Sequence, residues 1–120
     1  MSRSLVTDLT AERVARNDAS FRRSNEQLES FSEQLGFEPD ELRPFLCECA
    51  ETTCTTVLQL TGTEYEQVRR SPVRFINAAG HVASAQGWAR VVEEFDRYSV
   101  VEKVGEAADI AAALDERSQR

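Results

Sequence analysis

The sequence predicts an α+β fold: a long N-terminal helix, a small mostly antiparallel sheet, and one short helix between its strands. Three features carry that reading. Residues 8–35 hold neither Pro nor Gly and place Val14, Phe21, Leu28 and Leu35 seven apart, with Phe31 at the partner position of the last heptad. Two β-like runs, 44–49 and 55–61, bracket Ala50 to Cys54. Two more, 89–95 and 98–104, flank Asp96-Arg97 at hairpin spacing.

Taken in order, Asp8 or Thr10 can cap the helix, and Gly36 supplies the left-handed residue that ends it. The apolar seam is interrupted, because Asn17 and Ser24 occupy the positions equivalent to Phe31. The seam is therefore expected to lie against the chain's own domain in preference to a coiled-coil partner, with Phe31 buried there. Pro39, within Glu38-Pro39-Asp40-Glu41, marks a short connector. The first two strands form a hairpin, the second alternating Val57 and Gln59 against Leu58 and Leu60. A short helix follows from a capping Thr63 to Ser71, with Arg69 and Arg70 in its last turn and Pro72 as a stop. Phe75 and Ile76 suggest a strand running into Asn77–His81, and Gly105 ends the last strand. The Ala-rich stretch 106–114 is helix-prone, with a charged end expected to fray. The organisation is thus an amphipathic helix over 1–36, an α+β domain over 37–105, and a partly disordered tail over 106–120.

With 120 residues, 41% of them hydrophobic and 29% charged, one core is expected. No apolar stretch is long enough to cross a bilayer, and the first residues lack the apolar core of a secretory signal, which together suggest a soluble protein of the cytoplasm. The net charge of -7 disfavours nucleic acid, since affinity for phosphate rests on basic side chains. The richest basic candidates are Arg13, Arg16, Arg22 and Arg23, with Arg69, Arg70 and Arg74 as a second patch.

The sharpest signal is the cysteine arrangement. All three cysteines fall within Cys47-Glu-Cys-Ala-Glu-Thr-Thr-Cys54, and His81 is the only histidine. Residues two apart on a strand face the same way, so Cys47 and Cys49 can converge, and the four-residue spacer lets a turn bring Cys54 back to them. Tetrahedral zinc needs its thiolates within roughly 4 Å of one another. His81, following the permissive Gly80, is the natural fourth ligand, giving a Cys₃His set that staples the fold. Buried unligated thiols, a Cys47–Cys49 or Cys47–Cys54 disulfide, and a redox-sensing zinc–thiolate site are the competing readings.

Catalytic readings find little purchase. A thiolate shared with zinc is not free to attack, and the sequence contains neither the zinc-deaminase elements nor a phosphate loop or dinucleotide turn. Glu93 with Glu94, and Glu64 with Glu66, read more simply as solvated faces of a strand and a helix.

The combination of Asn25-Glu26, Phe45-Leu-Cys-Glu-Cys49, Cys54, Leu60-Thr61, Glu64-Tyr65-Glu66, Val68-Arg69, Pro72, Arg74-Phe75, Gly80-His81 and Val100-Val101-Glu102-Lys103 resembles a family of short uncharacterised bacterial proteins of actinobacterial type. The resemblance spans about residues 13–105 and implies the same three Cys and one His; it brings no activity or substrate. Ala79 departs from it, standing where the family carries Pro before Gly-His.

These observations lead to an expectation of a non-enzymatic, cytoplasmic, zinc-stabilised interaction or regulatory module that engages another protein. It is expected to be a monomer or a helix-mediated dimer, without a membrane partner. A nucleic-acid or transcription-complex binder and a thiol–zinc redox sensor are the alternatives.

Overall fold

The computed structural model describes residues 10–119. Thr10 caps the first helix, its Oγ1 accepting from Arg13 N at 3.2 Å, and α1 runs over Ala11–Gln34. Gly36 then turns the chain at φ +93°, a conformation that strains any residue with a Cβ. Asp8, the other candidate cap, lies outside the described residues.

Beyond the connector, β1 (Leu42–Leu46) pairs antiparallel with β2 (Val57–Thr61), placing Phe45 opposite Leu58 and Arg43 opposite Leu60. The first strand stops at Leu46 and does not run on to Cys49, because Glu48 N turns away to donate to Ile76 O at 2.7 Å. Helix α2 (Gly62–Arg69) begins two residues earlier than Thr63 would place it. Thr61 is its cap, and Thr61 with Glu64 forms a reciprocal capping box of 3.0 and 2.8 Å hydrogen bonds.

Then come β3 (Arg74–Asn77), β4 (Ala89–Glu94) and β5 (Ser99–Lys103), which form a second antiparallel sheet in the order β3-β5-β4. The strands are thus divided between two small sheets instead of one. Phe45, Leu58, Leu60 and Tyr65 from the first half pack with Ile76 and Val100 from the second to close the main core.

Helix α1 settles differently from its apolar pattern. Of the heptad residues only Val14 is fully buried, while Phe31 is 58% and Leu35 63% exposed. The buried face carries Asp18, Arg22, Asn25, Glu29 and Ser32 among small residues. Each long polar chain there meets a partner supplied by later sequence. Lys103 pairs with Asp18; Arg22 donates to Pro72 O at 2.9 Å and lies over the Phe75 ring. Asn25 acts as a substitute strand on the free edge of β1, its amide accepting from Leu46 N at 2.7 Å and donating to Leu46 O at 2.9 Å. Satisfied buried charges tolerate this environment; unpaired ones would not.

Helix α3 (Gly105–Leu114) packs on α1, burying Ala107 and Ala111. The tail expected to fray is held by ion pairs. Asp115 is buried against Arg69 at 2.7 Å, and Arg117 reaches Glu26 at 2.6 Å and Glu66 at 2.8 Å. Both terminal segments therefore join the central domain through charges that composition alone reads as surface.

Glu29, against Arg117 at 3.4 Å, is pushed up from the usual 4.5 to about 8, first by burial and then by Glu66 and Glu26. Between pH 4.5 and 8 the folded chain holds a proton that the unfolded chain has released, so this group makes stability fall as pH rises across that window. Glu29→Gln removes the titration. Its urea midpoint is expected to fall less than the wild-type midpoint from about pH 5 to about pH 8, and superimposable profiles would contradict the assignment.

Candidate metal centre

The four predicted residues come together from three places in the chain. Cys47 leaves the end of β1, Cys49 and Cys54 lie in the loop before β2, and His81 opens a 3-10 turn over His81–Ala85 after β3. One donor atom from each lies within 4.8 Å of every other. His81 Nδ1 is 3.5 Å from Cys47 Sγ and 3.6 Å from Cys54 Sγ. Metal–sulfur bonds of about 2.3 Å and metal–nitrogen bonds of about 2.0 Å in a tetrahedron give edges of roughly 3.5 to 3.8 Å, so these two separations already match a common ion. All three cysteines are free thiols.

Local backbone sets this geometry. Cys47 N donates to Thr56 O at 3.0 Å, closing the loop's base, and Cys54 N donates to Glu51 O at 3.0 Å, making the turn that returns the third sulfur. Gly80, at φ +81°, reverses the chain ahead of His81. Ser84 ties the two halves: its Oγ accepts from Ala50 N at 3.1 Å and donates to His81 O at 2.9 Å. Helix α1 reaches the loop too, with Asn17 Nδ2 donating to Ala50 O at 2.8 Å.

Cys47 and Cys49 are buried, Cys54 and His81 half-buried. The buried Cys47 Sγ accepts a backbone hydrogen bond from Ala78 N at 3.2 Å, the kind of contact that stabilises a thiolate. The hydrogen bond between Cys47 and Cys49, with burial second, pushes the Cys47 thiol up toward keeping its proton, while the same bond draws Cys49 down. An ion bound there would displace that proton. On its outer side the cluster borders a depression of about 350 Å³ lined by Cys49, Cys54, Thr56, Gly80 and His81. Solvent therefore reaches the two half-buried donors, Cys54 and His81.

Sequence reasoning missed the residue that supports the cluster from behind. Glu48 points opposite to its cysteine neighbours and is fully buried. Its carboxylate accepts from Asn25 Nδ2 at 2.9 Å, the Tyr65 hydroxyl at 2.9 Å and Ile76 N at 3.0 Å, joining α1, α2 and β3 behind the metal loop. Burial pushes its carboxyl up, against the pull of Asn25 and the Ile76 N–H. The signal was present in the alternation, since a residue between two same-facing cysteines faces the other way.

The remaining candidates have structural partners. Tyr65 is buried beneath Phe45, its ring stacked at 4.4 Å, with its hydroxyl committed to Glu48. Glu64 pairs with Arg97 at 2.7 Å and Glu66 with Arg117, so these acids lock elements together and are not merely solvated, whereas Glu93 and Glu94 are exposed. Arg22 and Arg69 are buried and Arg74 pairs with Glu102 at 3.2 Å, which breaks up both basic patches. Among the described residues no helix is long and apolar enough to cross a membrane. Compared with protein-family models, with curated proteins and with solved structures, the chain matches none.

Proposed function

We propose that this chain is a small zinc protein in which Cys47, Cys49, Cys54 and His81 hold a structural ion, and that the domain so stapled serves as a cytoplasmic interaction or regulatory module. The observation that carries the reading is the convergence of one nitrogen and three sulfur donors within 4.8 Å. Soft thiolates with one imidazole in a tetrahedral set favour zinc over the hard, oxygen-seeking cations. Four protein ligands leave no position for water or substrate, so the ion braces the 47–56 loop against the His81 turn and takes no part in chemistry. Supplied when bound, zinc neutralises the thiolates and fixes both loops at once.

His81→Ala tests the fourth ligand. Removing it opens the set to solvent without touching a thiolate, so zinc release to a colorimetric chelator is expected to accelerate about tenfold or more, against no change for the exposed control Gln59→Ala. Equal rates in wild type and both variants would remove His81 from the site. A second reading, that the site reports oxidation, is favoured by the half-exposed Cys54 beside the open depression. In that case a hydroperoxide takes two electrons from two thiolates and two protons from solvent, forming a disulfide with water and alcohol, and the site would lose two of its donors. Of the arginines behind the nucleic-acid alternative, Arg22, Arg69 and Arg74 are engaged within the fold and Arg16 pairs with Glu12, which leaves Arg13, Arg23 and Arg70.

A further inference from the structure

Helix α1 spends its polar face on the core and leaves its apolar seam outside. Val14 is covered by Ala50 and Ala85, but from Phe21 onward the seam is half-buried at best: Phe21 and Leu28 are intermediate, Phe31 is 58% and Leu35 63% exposed. The opposite flank, Glu29 and Glu33, lines a cavity with Arg43, a side chain on the inner face of β1. The apolar flank therefore lies on the side of the outer face of the β1–β2 ribbon, where Leu42 is 48% and Val57 53% exposed. The helix seam and the outer face of the ribbon each leave large apolar side chains exposed.

We infer that this surface is a two-fold interface with a second copy of the chain, α1 packing antiparallel on α1. Three observations select that occupant. The seam keeps a seven-residue spacing over Phe21, Leu28 and Leu35, the period that lets one helix follow another. With Leu28 on the two-fold axis, Phe21 meets the partner's Leu35, and the small Ser24 leaves room for the partner's Phe31. The surface charge is also self-complementary. The first half of α1 exposes Arg13, Arg16 and Arg23 against one acid, Glu12, which pairs with Arg16 at 2.8 Å, whereas from Ser24 to Leu42 no basic residue occurs and Glu33, Glu38, Asp40 and Glu41 are exposed. Antiparallel pairing brings Arg13 and Arg16 over the acidic connector of the other copy; parallel pairing would set like charges together.

This assignment deepens the interaction-module reading by naming the partner, and it does not depend on the metal. Sedimentation velocity of the zinc-loaded full chain, from low micromolar to several hundred micromolar, is expected to show a reversible dimer. Phe31→Asp with Leu35→Asp should raise the dissociation constant about a hundredfold or more while leaving zinc content unchanged, and leaving the melting midpoint unchanged at concentrations low enough that wild type and variant are both monomeric, because both side chains already face solvent in the monomer. Arg13→Glu with Arg16→Glu should raise it about tenfold, and high salt should weaken the wild-type dimer similarly. A wild type that stays monomeric throughout overturns the inference, as does a dimer indifferent to the Phe31 and Leu35 changes; a dimer indifferent to both salt and arginine reversal overturns the antiparallel arrangement. A monomer carrying zinc would sink this inference alone, and a dimer without zinc would sink only the metal reading.

Discussion

Cys49→Ser is expected to abolish stoichiometric metal binding and to lower the melting midpoint by about 10 °C or more. A serine hydroxyl is a poor substitute for thiolate at a soft ion, and the binding free energy of a structural zinc is folding free energy. A loss of about 3 to 5 kcal/mol in a chain of this size corresponds to a shift of roughly 4 °C per kcal/mol. The metal-free chain should not collapse entirely, because the cluster that Cys47 and Cys49 join also contains Phe45, Leu60, Tyr65, Ile76 and Val100, whose burial does not depend on the ion. What should loosen first is the 47–56 loop and the His81 turn, read as faster amide exchange there than in β5. A variant that retains its zinc and melts like wild type would remove Cys49 from the ligand set.

Asp18→Ala carries the second largest effect. Lys103 and Asp18 form an ion pair with both side chains out of contact with water, and the lysine also lies 5.0 Å from the centre of the Phe75 ring. Removing the carboxylate strands a buried ammonium, which costs about 3 to 5 kcal/mol when no new partner is available. Urea denaturation of the zinc-loaded variant should register that loss with metal content unchanged. The pair need not itself be stabilising relative to an apolar replacement: Asp18→Leu combined with Lys103→Met is expected to recover most or all of the loss, since two desolvated charges disappear together. A single-variant loss below about 0.5 kcal/mol would mean that Lys103 escapes to solvent or finds another partner.

These two sites also mark where the sequence was and was not informative. The metal cluster was legible because its geometry is local: three cysteines within eight residues can converge through one turn, and a lone histidine after a glycine completes the set. Helix α1 was legible in extent, from the Thr10 cap to Gly36, because capping and the missing Pro and Gly are local properties too. Its orientation was not. The apolar repeat pointed to Phe31 and Leu35 as core, whereas burial of Asp18, Arg22 and Glu29 is decided by Lys103, Asp115 and Arg117 at the other end of the chain. Nothing in the helix itself announces those partners.

The same logic explains the tail. A charged terminus ordinarily reads as solvated, yet Asp115 and Arg117 close the α1–α2–α3 junction with Arg69, Glu26 and Glu66. Glu48 was overlooked for a related reason, since a glutamate is rarely fully buried unless partners wait for it. Here three hydrogen bonds do, from Asn25, Tyr65 and Ile76. The buried carboxylate and the cysteine cluster thus share one loop, and the fold's polar interior holds that loop from behind.

The central claim, that Cys47, Cys49, Cys54 and His81 hold a structural zinc ion, is tested most directly by elemental analysis of the full chain purified without a metal-affinity tag. Close to one zinc per chain is expected after dialysis against metal-free buffer, with no comparable content of iron, copper or nickel. Protein that is folded and carries no bound metal under those conditions would contradict it.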